Sequence, residues 1–242
     1  MKNTSWEHVA HWYDGWVGKE GSYYHREVAI PKTLELLNLQ PNEFLIDVGA
    51  GTGTLAPHVL KTGCNYVGVE LSQTFEKQAK KYHSAKASFL EADARNLKTL
   101  PLEQKFDAAV FLLSLQDMEP LNVVLENVSH VLRANGRLVL FMINPCVRIP
   151  RQSGWGFDEK RKLHYRRMDR YLSPLAVPMK TYKGNTTRSY HRPLQDYVQA
   201  LLNADFQLSA WEEIADSGRK PNGQKNPNED IPLFLALRAY KK

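Results

Sequence analysis

The stretch DVGAGTG, Asp47 to Gly53, packs three glycines, an acid and two small residues into seven positions. It closes a short apolar run, EFLIDVG (43–49), that reads as a strand. It opens TLAPHVLKTG (54–63), which reads as a helix ended by Gly63. A glycine turn between a strand and a helix lets a ligand approach the backbone, and three classes of ligand compete for it. The phosphate-loop pattern G-x-x-x-x-G-K-[ST] is absent, because the spacing differs and no lysine follows. The dinucleotide pattern G-x-G-x-x-G also fails, because Thr54 stands where its last glycine belongs. A cofactor without phosphates remains.

Outward from this turn the chain alternates strand and helix. NYVGVEL (65–71), KASFLEAD (86–93), KFDAAVFLLSL (105–115) and RLVLFMI (137–143) read as further strands, the third apolar throughout as a strand covered on both faces should be. Ser72 is a suitable N-cap for the helix that follows it. Leu121, Val124, Leu125, Val128 and Leu132 recur at helical spacing within 119–136, a segment ending at Gly136. A helix at 193–204 and two strands, 206–214 and 231–241, close the chain. The pattern predicts an α/β fold with a doubly wound, mostly parallel sheet. Ligands of such sheets sit at the carboxyl ends of the strands, where DVGAGTG, Glu70, Asp93 and Leu113 to Gln116 all lie.

With these motifs in order, the chain resembles the class I S-adenosylmethionine-dependent methyltransferases. DVGAGTG matches the first motif of that superfamily, Glu70 the acidic second, EADARNL (91–97) the third and FDAAVFLLSLQDM (106–118) the fourth. The resemblance implies a seven-stranded Rossmann-like sheet binding S-adenosyl-L-methionine. It implies that Asp47, Gly49, Ala50, Gly51 and Gly53 form the methionine loop, with Asp47 bonded to the loop amides or to the cofactor's ammonium group. By the same resemblance Glu70 accepts the ribose hydroxyls, Asp93 and Ala94 read the adenine, and Leu71 and Leu113 flank it. In similar small-molecule methyltransferases a tyrosine of a WYD-like segment covers the methyl site, which by the resemblance would be Tyr13 here. Some bacterial members also share the NPCVRIPRQSGWGFDE and RSYHRPLQDY segments, although His-Pro is usual where Asn144-Pro145 stands here. The organisation expected is one domain over 1–242: an N-terminal helical cover (1–40), a cofactor-binding core (41–143), a lid or substrate insertion (144–192), and a closing helix and strand pair (193–242).

The flanks bear on the acceptor. The segment 11–31 is rich in aromatic residues, Tyr24 among them, and could pack over the site or simply on the sheet. His191 and His25 are the candidate general bases for a hydroxyl acceptor. Almost fifty residues separate residue 143 from the next helical pattern, a length typical of a lid, with a fixed cap as the bland alternative. Net charge is +6, and eight Lys or Arg face three acids between Arg148 and Arg170, a local excess of five. That stretch could clamp an acidic substrate through Arg148 or Arg151 with Trp155 nearby, form an RNA footprint, or be a solvated face. In a helix, Arg166, Arg167 and Arg170 would share one broad side.

Other features narrow the classes. No apolar run reaches membrane-spanning length, and the first sixteen residues lack the apolar core of a signal peptide, so a cytoplasmic protein with no membrane partner is expected. Cys64 and Cys146 suit reduced thiols better than a disulfide framework or zinc site. No metal-ligand spacing is present, so no metal is expected. The leading expectation is methyl transfer to a small-molecule oxygen or nitrogen, the substrate possibly acidic. The alternatives are an RNA methyltransferase using 148–170, although its fourth motif lacks N/D-P-P-[YFW], and a cofactor-binding regulator without turnover. The oligomeric state is not readable.

Overall fold

The computed structural model describes residues 6–83, 87–101, 104–180, 184, 186–216 and 230–242. The Pro-, Asn- and Lys-rich segment DSGRKPNGQKNPNED (216–230), whose composition reads as an exposed loop, lies, but for its two end residues, outside them. Seven strands form one sheet. The parallel set is β1 (Phe44–Val48), β2 (Asn65–Glu70), β3 (Ser88–Glu91), β4 (Phe106–Leu112) and β5 (Leu132–Ile143). Two hairpins, β6 (Ser153–Asp158) with β7 (Leu163–Met168) and β8 (Leu175–Lys180) with β9 (Thr186–His191), stand apart from it. The sheet is completed by β10 (Phe206–Ala215) and β11 (Pro232–Lys241), giving the order β10-β11-β5-β4-β1-β2-β3 with β11 antiparallel to both neighbours.

Strand periodicity explains how the core divides. Ile46 and Val48 enter the cluster on one face of the sheet, while Leu45 enters the cluster on the other. All seven residues of β4 are buried, as its unbroken apolar sequence requires of a central parallel strand. Helices α1 (Ala10–Val17), α2 (Ile30–Leu37), α3 (Ala56–Leu60), α4 (Gln73–His83), α5 (Leu121–Val131) and α6 (Leu194–Asn203) flank the sheet and its upper edge. Ser72 does cap α4, its Oγ accepting from Phe75 N at 3.3 Å.

Three expectations need correction. First, the helix read over 119–136 stops at Val131, because Leu132 is extended (φ −78°, ψ 146°) and pairs beside Phe106. The left-handed residue of the ensuing turn is Asn135 (φ 59°), so Gly136 is not a helix cap. Second, the segment after β5, in which the sequence shows no regular element, holds the two antiparallel hairpins. Third, Arg166 and Arg167 therefore sit on strand β7 and point to opposite faces, with Arg170 in the following turn.

The N-terminal cover is held by polar contacts that sequence reading did not single out. Glu7 accepts from Ser72 Oγ and Thr74 Oγ1, both at 2.5 Å, at the positive end of the α4 dipole. Seven residues on, Asp14 accepts from Gln78 Nε2 at 3.1 Å and Tyr82 OH at 2.9 Å. Two helical turns separate the acids, so both face α4. No helix among the described residues is long and apolar enough to cross a membrane.

Candidate active site

A cleft of about 530 Å³ opens at the carboxyl ends of β1, β2 and β4. Its floor is the glycine turn, and its walls include Glu70, Leu71, Asp93, Ala94, residues 112–114 and residues 117–119. Tyr13 and His25 reach it from the N-terminal cover; Pro178, Thr186, Thr187, Arg188 and Tyr190 reach it from the β8–β9 hairpin.

The three glycines of the turn have different reasons to be glycine. All have left-handed φ, between 54° and 78°. A Cβ on Gly49 would lie 2.7 Å from both Ser114 Cβ and Met118 Cε, and one on Gly53 would lie 2.8 Å from the Phe89 ring. Those two glycines make room for protein, and Gly53 does not line the cleft. A Cβ on Gly51 would meet nothing within 4 Å. Only there does the missing side chain leave space for a ligand.

Leu113 forms the far rim. It takes a left-handed φ of 56° and donates its amide to Phe141 O at 2.7 Å. That conformation costs a branched residue roughly 1–2 kcal/mol, and it turns the chain after β4 across the mouth of the cleft. Ser114 Oγ then donates to Val48 O at 2.6 Å, locking the fourth motif onto the first.

Acids line the cleft from end to end. Glu70 accepts from Gly51 N at 3.0 Å and from Ser72 N at 2.9 Å; burial raises its pKa, against those amide bonds. Asp47 accepts from Tyr66 OH at 2.7 Å, and burial pushes its pKa up to about 7. Its other oxygen, Oδ1, is buried with no partner among the described residues. Asp117, on the short helical turn after β4, is also pushed up to about 7 by burial, against a hydrogen bond from Ser189 and the nearby charges of Arg148 and Arg192. The Tyr13 ring packs edge-on against Trp6, Trp16 and Phe75. Burial, then the charges of Asp117 and Glu70, raise its phenol pKa, so the hydroxyl stays protonated between two acids.

These groups fit the cofactor that the resemblance implies. A buried carboxylate oxygen without a partner suits an ammonium group, Gly51 leaves the adjoining space, and Glu70 presents a carboxylate at the strand end for a diol. Asp93 lines the cleft but is engaged, with Oδ1 accepting from Arg95 N at 2.9 Å and a two-pronged pairing to the Arg95 guanidinium.

Comparison with known proteins agrees with this arrangement. Residues 46–138 match the methyltransferase domain family. A demethylmenaquinone methyltransferase of Beutenbergia cavernae is 27% identical over 211 residues, covering 87% of this chain and 78% of that one. An O-methyltransferase of Pyrenophora dematioidea is 32% identical over 142 residues, covering 54% and 51%. The crystal structure of an S-adenosylmethionine-dependent methyltransferase from Mesorhizobium loti superposes with a TM-score of 0.70 at 24% identity, over 88% of this chain and 96% of that one. Residues 46–138 thus carry a methyltransferase domain, on the fold of solved S-adenosylmethionine-dependent methyltransferases.

Not every residue singled out in this methyltransferase's sequence comes to the cleft. His191 is buried outside it, donating Nε2 to Tyr171 O at 2.7 Å and lining a second cavity beside α6. Tyr24 donates to Asp216 at 3.0 Å and packs on Phe234. Arg148, Arg151 and Trp155 are exposed and do not line the cleft. His25 does line it, but burial, helped by Arg26, lowers its pKa to about 4, and Ser22 Oγ lies 2.8 Å from its Nδ1. The sequence reading missed Asp117, although an acid five residues beyond the end of β4 was a signal for it.

Proposed function

We propose that this methyltransferase modifies an oxygen or nitrogen of a small molecule enclosed in the cleft. The observation that carries the reading is that the β8–β9 hairpin and the glycine turn line one cavity, whose volume suits a cofactor and a modest acceptor. The relatives named for demethylmenaquinone and for O-methylation support a small acceptor. The basic segment 148–170 contributes nothing to the lining, which speaks against RNA in this site.

Asp47 Oδ1, Gly51 and Glu70 would hold the methionine and ribose portions of the cofactor, and Ala94 with Asp93 the adenine. When bound, the cofactor supplies an electrophilic methyl group on a sulfonium. The chain's own task is then to position the acceptor, exclude water and take its proton. Asp117 suits that last role better than His25. A base near pKa 7 is matched to neutral pH, whereas a base near 4 is too weak to withdraw a proton effectively. Arg188 brings a cation into the lining, where a carboxylate or phosphate on the acceptor would meet it.

The same reading treats 1–242 as one domain with the β8–β9 half of 144–192 as its lid. The two free cysteines support a reducing compartment, the cytoplasm. The test is formation of S-adenosylhomocysteine over a panel of phenols, amines and hydroxy acids, with single-stranded and structured RNA alongside. Turnover with small molecules only is expected. Turnover on RNA alone, weakening steeply with salt, would overturn the reading.

A further inference from the structure

The first hairpin, β6–β7, has no part in the cleft, yet it is the most unusual surface of the molecule. Among the described residues eleven large apolar side chains are exposed, and six of them (Trp155, Phe157, Leu163, Tyr165, Met168 and Leu172) fall within 155–172. Leu172 is 70% exposed and Leu163 49%. Strand pairing distributes them over both faces. Trp155, Phe157 and Met168 share one side with His164 and Arg166, while Leu163 and Tyr165 share the other with Arg167. Neither strand joins a third, so both edges of the ribbon lack a paired strand, and on the Trp155 face, among the described residues, only Arg166 is seen to reach back to the chain, donating Nε to Val147 O at 2.8 Å.

The same hairpin holds the basic excess. Lys162 pairs with Glu159 at 3.0 Å and Arg167 with Asp169 at 3.1 Å, both with the hairpin's own acids. Lys160, Arg161 and Arg170 form no ion pair among the described residues. Clustered exposed apolar groups cost free energy in water and mark an interaction surface, so a merely solvated face does not account for them.

We propose that the β6–β7 hairpin docks this methyltransferase on an anionic lipid surface. Exposed apolar side chains occupy both faces of the ribbon, with Arg166 on one, Arg167 on the other and Lys160, Arg161 and Lys162 at its tip, which suits a medium that wets both faces better than a partner covering one. Aromatic rings favour the bilayer interface, and Lys and Arg stems let the charges stay at phosphate level. Leu163, Met168 and Leu172 gain by leaving water but gain nothing from a nucleic-acid backbone. A second copy would bring two strongly basic hairpins together, which charge repulsion opposes. Surface docking needs no spanning segment, so the expectation of no membrane partner, drawn from hydropathy, applies to spanning only.

The test is co-sedimentation of the full chain with vesicles of phosphatidylcholine containing about one-quarter phosphatidylglycerol, compared with pure phosphatidylcholine. Binding to the anionic vesicles is expected, with a blue shift of tryptophan emission that Trp155→Phe removes. Phe157→Glu combined with Leu163→Glu should weaken partitioning about tenfold or more, and Arg161→Ala or Lys162→Ala by roughly fivefold each. Affinity for S-adenosylhomocysteine should stay unchanged in every variant, which shows that each folds. Failure to bind anionic vesicles overturns the proposal. So does binding that ignores the two glutamates and is competed away by single-stranded RNA, which would make the hairpin a polyanion surface. Self-association abolished by Phe157→Glu, without vesicle binding, would assign the face to a second copy.

Discussion

Glu70 Oε2 accepts the amide of Gly51 at 3.0 Å, so the acid at the tip of β2 clasps the glycine turn at the end of β1. One carboxylate thus shapes the turn and faces the space it opens. This predicts that Glu70→Ala weakens S-adenosylhomocysteine binding by about 1–3 kcal/mol, through lost charged hydrogen bonds and a looser turn. Gly51→Val puts a branched side chain into that space at a left-handed φ and should abolish binding, while Gly53→Val should destabilise the fold against Phe89. Calorimetry and thermal unfolding separate the two glycines. Retained affinity in both Gly51→Val and Glu70→Ala would remove the cofactor assignment.

Asp47 should make cofactor binding pH-dependent. Its folded pKa of about 7 lies above the ordinary 3.8, so the folded state holds a proton that the unfolded chain has released. Its contribution to stability is therefore fullest at low pH and declines as pH rises from about 4 to about 7. A cofactor ammonium favours the ionised carboxylate, so affinity should climb through the upper part of that window and level off above it. Asp47→Asn should flatten both profiles, as measured by calorimetry and melting between pH 5 and 8.

Asp117, in the role of proton acceptor, predicts a rate that rises as pH passes through about 7. Asp117→Asn should lower kcat by about 10²–10⁴-fold with cofactor affinity retained, whereas His25→Gln should have a smaller effect. A larger loss for the histidine, measured with whichever acceptor the panel yields, would return the role to His25.

The two hairpins should respond differently to ligands. Thr186, Thr187, Arg188 and Tyr190 line the cleft, so amide exchange there should slow when cofactor and acceptor are both bound. Exchange across 153–168 should not change. Equal protection of both hairpins would mean that the whole of 144–192 moves as one lid.

Glu7 and Asp14 should act as clasps of the cover. Glu7→Ala or Asp14→Ala removes side-chain bonds to α4 and should raise amide exchange over 6–17. Cofactor affinity should fall in parallel, because Tyr13 lies on the segment released. The expected loss is about 1–2 kcal/mol for each, lowered by partial exposure to water.

The sheet was legible because strand and helix write different periods into a chain, and because a buried parallel strand such as β4 must be apolar on both faces. The boundary at Val131 was not, since Leu132 continues the helical spacing and only its pairing beside Phe106 draws it into β5. Hairpins β6–β7 and β8–β9 were hidden for a related reason. Their exposed strands bury no continuous face, so they carry little alternation for a reader to find.

The sequence by itself determined the class of fold, the position of the glycine turn and the acids at the strand ends, because these depend on local spacing and on residues near one another along the chain. Only the tertiary structure decided which glycine faces a ligand, since that depends on Ser114, Met118 and Phe89, which lie far from the turn in sequence. Only it separated His25, which lines the cleft, from His191, which does not, and placed Asp117 in the lining. A side chain's pKa and its access to a cleft are set by neighbours from other strands, and periodicity carries no record of them.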